Sequence, residues 1–121
     1  MTLVQQQSKF AQDVAKLLQF IVSQGNYVTL GESWRSQEQA DLYAKEGKGI
    51  HDSLHCQRLA IDLNLYSSAG VYLTEPHDYQ KAGEYWESLD HQNRWGGFFV
   101  SKYGGHIVDG LDRDWETPAL E

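Results

Sequence analysis

The segment from residue 59 to residue 65 constrains the fold of this chain most, because large apolar residues alternate there with small or polar ones. The apolar positions are Leu59, Ile61, Leu63 and Leu65. A period of two predicts a β-strand with one face in the core. Asp62 then lies on the opposite face of the strand. We expect that face to be polar or to face a functional site.

Patterns typical of helices and short strands surround this segment. Apolar residues recur at helical spacing between Phe10 and Ile21, which predicts a helix over about residues 3–24 that stops at Gly25-Asn26. Further helices are predicted over 36–47, beginning at a capping box Ser36-x-x-Gln39, and over 77–89. Short strands are predicted at 27–30, 71–73, 95–100 and 106–108. This order predicts an α+β fold, with a small antiparallel sheet and flanking helices.

Length and charge limit the classes of function. The 121 residues predict a single domain, with an acidic tail from about residue 110 that we expect to be partly mobile. A net charge of -7 argues against nucleic acid as a partner. Cys56 is the sole cysteine, which excludes an intrachain disulfide, and we expect a half-buried structural thiol. The chain has neither the apolar core of a signal peptide nor a run of about 18 apolar residues, so we expect no membrane insertion.

Three residues form a candidate ligand set for a metal. His55 and Asp62 are separated by six residues, and His106 follows a Trp-Gly-Gly sequence that begins at Trp95. Two imidazoles and one carboxylate are the ligands of an open, hydrolytic zinc site. The alternative for each histidine taken alone is a hydrogen-bonded or surface side chain.

Longer motifs extend this pattern along nearly the whole chain. They read GESWRSQEQ at 31–39, GKGI at 47–50, SLHCQRLAIDLNL at 53–65 and RWGG at 94–97. In this order they resemble the phage-type D-alanyl-D-alanine carboxypeptidases and L-alanyl-D-glutamate endopeptidases, which are peptidoglycan peptidases with the hedgehog-like zinc fold. The resemblance covers about residues 8–109, and its Ser-x-His-x6-Asp-Leu motif is the most specific part.

The resemblance implies a role for each matching residue. It makes His55, Asp62 and His106 ligands of Zn²⁺, and makes Arg35 the catalytic arginine that polarises the substrate carbonyl or binds a carboxylate. Ser53, Gln39 and Trp95 match positions near the substrate. Each has a structural alternative, namely a salt bridge for Arg35, a turn for Ser53, a helix cap for Gln39 and the core for Trp95. The resemblance also implies a monomer that acts on peptidoglycan stem peptides. A phage or prophage would encode it, and it would stay in the host cytoplasm until its release to the cell wall.

One position departs from the family pattern. Tyr103 stands three residues before His106, where the family has a carboxylate that acts as general base. A phenol with an ordinary pKa of about 10 is a poor base at neutral pH. Four carboxylates that closely follow His106 are candidates for the replacement, namely Asp109, Asp112, Asp114 and Glu116, and Asp109 is the one that we predict. The run Asp112-x-x-Trp115-Glu116 also allows a rival alignment without His106. Two alternatives to an active peptidase therefore stay open: a catalytically impaired zinc module that binds wall peptide or a partner, and a metal-free α+β interaction protein.

Overall fold

The computed structural model describes residues 2–47 and 54–95, and this part of the chain has an α+β fold. Its elements in chain order are α1 (Leu3–Ser23), β1 (Tyr27–Leu30), α2 (Gln37–Lys45), β2 (Leu63–Tyr66) and α3 (Gln80–Leu89). Single 3-10 turns occupy Leu54–Gln57 and Pro76–Tyr79. The two strands form an antiparallel sheet, which confirms the predicted class at this level.

Helix α1 has the predicted length and a well-defined start. The Thr2 side chain accepts a hydrogen bond from the Gln5 amide, and the Gln5 side chain accepts one from the Thr2 amide, forming a capping box. The helix ends before Gly25, whose φ of 87° lies in the left-handed region that glycine tolerates. Phe10, Leu17 and Ile21 bury its apolar stripe.

The sheet has a regular register but is shorter than predicted. Tyr27 pairs with Tyr66, and Leu30 pairs with Leu63 at the other end. The prediction of a strand from residue 59 was wrong for its first half, because the Leu59 amide donates to the Leu54 carbonyl across the 3-10 turn. Residues 59–61 are buried all the same, so the apolar pattern reports burial rather than strand pairing there.

The segment after β2 differs from the prediction in a similar way. The predicted strand at 71–73 is reduced to one bridge between Tyr66 and Tyr72. The third helix begins at Gln80 instead of residue 77, because Pro76 starts a 3-10 turn before it. The predicted strands over 96–100 and 106–108 and the acidic tail lie outside the described residues.

The core lies between α1, α3 and the inner face of β2. The rings of Phe10 and Trp86 meet edge to face, with centroids 5.4 Å apart. A Cβ atom at Gly83 would overlap the ring of the buried Trp95, so α3 can pack against this tryptophan only through a glycine. Among the described residues, no helix combines the length and the apolar character needed to cross a membrane.

Candidate metal centre

Three side chains from separate parts of the chain converge next to the sheet. The Nε2 atom of His55 lies 3.0 Å from Oδ1 of Asp62 and 3.8 Å from Oε1 of Glu32. One potential ligand atom from each of the three residues lies within 4.8 Å of the others. This cluster of one imidazole and two carboxylates, hereafter the metal centre, could hold a metal ion.

Backbone pairing beyond the ends of the two strands places both carboxylates. The Gly31 amide donates to the Asp62 carbonyl at 2.8 Å, and the Asp62 amide donates to the Glu32 carbonyl at 2.9 Å. The two segments approach so closely that a Cβ atom on Gly31 would lie 2.9 Å from the Cβ atom of Asp62. A side chain at position 31 would therefore push apart the two segments that bring Glu32 and Asp62 into one site.

A second set of backbone bonds fixes His55. It lies in the 3-10 turn Leu54–Gln57, and its carbonyl accepts hydrogen bonds from the amides of Arg35 and Arg58 at 3.2 and 3.3 Å. Arg58 then turns the chain back toward Leu59 with a φ of 58°. The His55 side chain is 1% exposed, whereas those of Glu32 and Asp62 are 27% and 29% exposed. The imidazole therefore forms the floor of the centre, and the carboxylates form its solvent side.

Arg35 lies against Glu32. Its Nε and Nη2 atoms are 2.6 and 2.5 Å from the same Glu32 oxygen, and its guanidinium carbon lies 5.0 Å from the centre of the Tyr43 ring. The salt bridge that stood as the alternative for Arg35 is thus present, with an acidic residue of the metal centre as its partner. Contact between Arg35 and a substrate stays a prediction.

The charges and spacing of the centre suit a divalent cation. Its two carboxylates supply negative charge that attracts a cation, and the Arg35 guanidinium is bonded to one of them, Glu32. Bonds of about 2.0–2.2 Å in a tetrahedral arrangement place neighbouring ligand atoms about 3.4 Å apart. The separations of 3.0 and 3.8 Å measured from His55 lie on either side of that value. Imidazole and carboxylate together are typical ligands of zinc and similar divalent metals.

The remaining predicted site residues have different surroundings. Gln39 lies in the first turn of α2, where its amide donates to the Ser36 hydroxyl at 3.0 Å, which is the helix-cap arrangement. Trp95 is 2% exposed within the core, and its amide donates to a Glu87 carboxylate oxygen at 2.9 Å. A substrate contact for either residue stays a prediction. The predicted site residues Ser53, His106 and Asp109, together with Tyr103, lie outside the described residues.

Cys56 and Glu32 lie near the centre, and the sequence predicts the surroundings of the first but not the role of the second. Cys56 is half-buried as expected, with its Sγ atom 3.8 Å from the Ser36 carbonyl oxygen. Glu32 is not among the residues that the sequence predicts for the site. Its only local signal is a carboxylate that follows the predicted strand 27–30 after a single glycine, and such positions are common.

The chain matches no protein-family model, no curated protein and no solved structure.

Proposed function

We propose that the protein is a zinc-dependent peptidase that hydrolyses peptidoglycan stem peptides. The observation that carries the proposal is the 3.0 Å separation of His55 Nε2 and Asp62 Oδ1, two residues that the motif resemblance nominates as ligands of one zinc ion. The stem-peptide substrate, the monomeric state and a phage or prophage origin are parts of the same proposal.

The donor set supports zinc as the metal. His55 and Asp62 would hold it, with His106 as a further ligand implied by the resemblance. Zinc supplies such a site with polarisation of a carbonyl group and acidification of water at neutral pH. The two carboxylate side chains are 27% and 29% exposed, so the centre is accessible from solvent.

Peptide hydrolysis also needs proton transfer by the chain itself. Water adds to the carbonyl carbon, the C–N bond breaks, and the products are a carboxylate and an amine. A general base must take a proton from the water and return it to the leaving nitrogen. Asp109 is the residue that we propose for this role. Arg35 would stabilise the negative charge that develops on the carbonyl oxygen.

The tyrosine at position 103 favours a second candidate function. Loss of a general base costs about 10²–10⁴ in rate. A chain without an effective replacement would bind zinc and wall peptide with little turnover. Substitution Tyr103→Asp distinguishes the two functions, because it should raise activity strongly only in the impaired module.

The test is digestion of purified peptidoglycan by the full chain loaded with one equivalent of zinc. Mass spectrometry of the soluble products should show released D-alanine or new amino termini. We expect His55→Ala and Asp62→Ala to abolish this release, whereas Glu84→Gln, an exposed residue of α3, should not change it. Wild-type activity that persists in both the His55 and the Asp62 variant would contradict the proposal.

A further inference from the structure

Glu32 shares the solvent side of the metal centre with Asp62, although no motif nominates it. We propose that Glu32 is a protein ligand of the bound metal, in addition to His55 and Asp62. The inference rests on the metal-binding part of the proposed function. It concerns which atoms bind the metal, and it is independent of the substrate.

Distance supports a ligand role for Glu32. Its Oε1 atom lies 3.8 Å from His55 Nε2, and the three ligand atoms of the cluster lie within 4.8 Å of one another. Neighbouring ligands of a tetrahedral zinc ion are about 3.4 Å apart. Glu32 therefore needs a shift of only a few tenths of an ångström relative to His55 to share an ion with it.

The backbone supports the same role. Glu32 follows Gly31, which is bonded to the Asp62 carbonyl, and the Glu32 carbonyl itself accepts from the Asp62 amide at 2.9 Å. The main chains of the two acidic residues are thus joined directly. Their side chains start from fixed and adjacent positions, so little conformational entropy is lost when both turn toward one ion.

The contact with Arg35 is compatible with metal binding. Both contacts from the guanidinium go to Oε1 of Glu32, and a carboxylate has about four acceptor positions on its two oxygens, so a rotation of the side chain can offer the other oxygen to a metal. Carboxylates that bind metals are commonly hydrogen-bonded by an outer group that orients them. Arg35, with Nε 2.6 Å from Glu32 Oε1 and only 9% exposed, occupies the place of such a group.

The experiment measures zinc affinity of the full chain by competition with a chromophoric chelator. We expect Glu32→Gln to weaken zinc binding by about 100-fold or more, since loss of an outer-shell partner alone costs about 10–100-fold. Glu84→Gln removes the same charge from an exposed position of α3, outside the cluster, and should leave the affinity unchanged. The absorption spectrum of the Co²⁺ form should also change in Glu32→Gln, because the spectrum reports directly on the ligands.

The variant Glu32→Asp distinguishes ligation of the metal from simple attraction of the metal to a negative charge. It also replaces Glu32→Gln in the test if that variant does not fold. It keeps the negative charge but shortens the side chain by one methylene, so we expect about tenfold weaker binding and an altered Co²⁺ spectrum. Unchanged zinc affinity and an unchanged Co²⁺ spectrum in a folded Glu32 variant would overturn the inference and leave the proposed function intact. A wild-type chain that binds no zinc would instead contradict the proposed function itself.

Discussion

Two clusters of polar side chains in this protein use carboxylates in different ways. The first, here named the helix network, joins α1 to the segment after α3 through Lys9, Asp13 and Asn93. Asp13 is 1% exposed, and it accepts hydrogen bonds from Lys9 Nζ at 2.6 and 2.8 Å and from Asn93 Nδ2 at 3.2 Å. The same Asn93 amide group donates to the Trp86 carbonyl at 3.1 Å. The second cluster is the metal centre.

The two clusters differ in their balance of donors and charge. In the helix network the Lys9 ammonium group lies 2.6 Å from an Asp13 oxygen and 3.6 Å from an Asp90 oxygen, and the hydrogen bond to Asp13 is the main cause that raises the pKa of Lys9. In the metal centre two carboxylates lie next to one imidazole, and the Arg35 guanidinium is bonded to one of them, Glu32. The helix network holds its own ammonium group against its two carboxylates, and such pairing stabilises a fold. In the metal centre the two carboxylates meet at an imidazole, which is a metal ligand, so the three side chains could hold a metal ion.

Substitution Asp62→Asn should give the largest effect and tests the metal side of this comparison. We expect zinc affinity to fall by more than about 100-fold, because an amide is a weak replacement for a charged ligand. The free energy of unfolding of the metal-free chain should hardly fall, since one of two neighbouring negative charges is removed. Chelator competition and urea unfolding measure the two quantities. Equal zinc affinity of variant and wild type would show that Asp62 is not a ligand.

Alkaline pH should produce a second, smaller effect, which is a loss of folding stability and does not involve the metal centre. The buried Tyr79 hydroxyl accepts from the Leu65 amide at 3.2 Å and donates to the Leu73 carbonyl at 2.7 Å. Burial is the main cause that raises the pKa of Tyr79 to about 12. The neutral form is thus favoured in the folded state. The stabilisation that comes from burying the neutral Tyr79 hydroxyl is therefore complete below pH 10, the ordinary pKa of tyrosine. It is lost as pH rises toward 12, because the hydroxyl then loses its proton in the folded state as well.

Urea unfolding between pH 9 and pH 12 measures this loss. The difference between the ordinary tyrosine pKa of about 10 and a pKa of about 12 corresponds to about 2–3 kcal/mol in the free energy of unfolding. Tyr79→Phe is the matched variant: it should be less stable at neutral pH, by about 1 kcal/mol, but its free energy of unfolding should decline less above pH 10. Parallel declines in wild type and Tyr79→Phe would assign the alkaline loss to other groups.

Substitution Asp13→Ala tests the helix network and should have the opposite pattern to Asp62→Asn. We expect the free energy of unfolding to fall by about 2 kcal/mol, because a buried Asn93 donor loses its partner. Zinc affinity of the folded variant should be unchanged. Gln12→Ala, an exposed substitution on the same helix, should change stability by less than about 0.5 kcal/mol. A loss of zinc affinity in Asp13→Ala at full stability would remove the distinction between the clusters.

The sequence predicts the locally determined parts of this molecule well. Helix α1 and strand β1 occupy the expected ranges, because the apolar period and the glycine after the helix act within a few residues. The cap at Ser36 is confirmed for the same reason, since its hydroxyl bonds the Gln39 amide three residues later. The closeness of His55 and Asp62 is also as expected, although it follows from a motif resemblance and not from local periodicity.

Features that depend on distant pairing are harder to predict. Glu32 joins the metal centre only because the register that pairs Leu30 with Leu63 continues to Gly31 and Asp62. Sequence periodicity gives the faces of a strand but not its register with a remote partner. Position 59 shows the same limit, because its amide bonds the 3-10 turn while its side chain keeps the apolar alternation of a strand.

Of the four predictions in this comparison, the substitution Gly31→Ala should have the smallest effect. It tests whether the close approach of the backbone at Gly31 to Asp62 shapes the metal centre. The added Cβ atom would lie 2.9 Å from Asp62 Cβ and 3.2 Å from the Asp62 carbonyl oxygen, so the segments must separate. We expect zinc affinity to fall about tenfold, or about 1.4 kcal/mol.

Gly25→Ala is the control, because its cost comes from a φ of 87° and not from crowding. It should lower stability by about 1 kcal/mol and leave zinc affinity unchanged. Equal zinc affinity in Gly31→Ala and wild type would mean that the ligands hold their positions without the glycine contact.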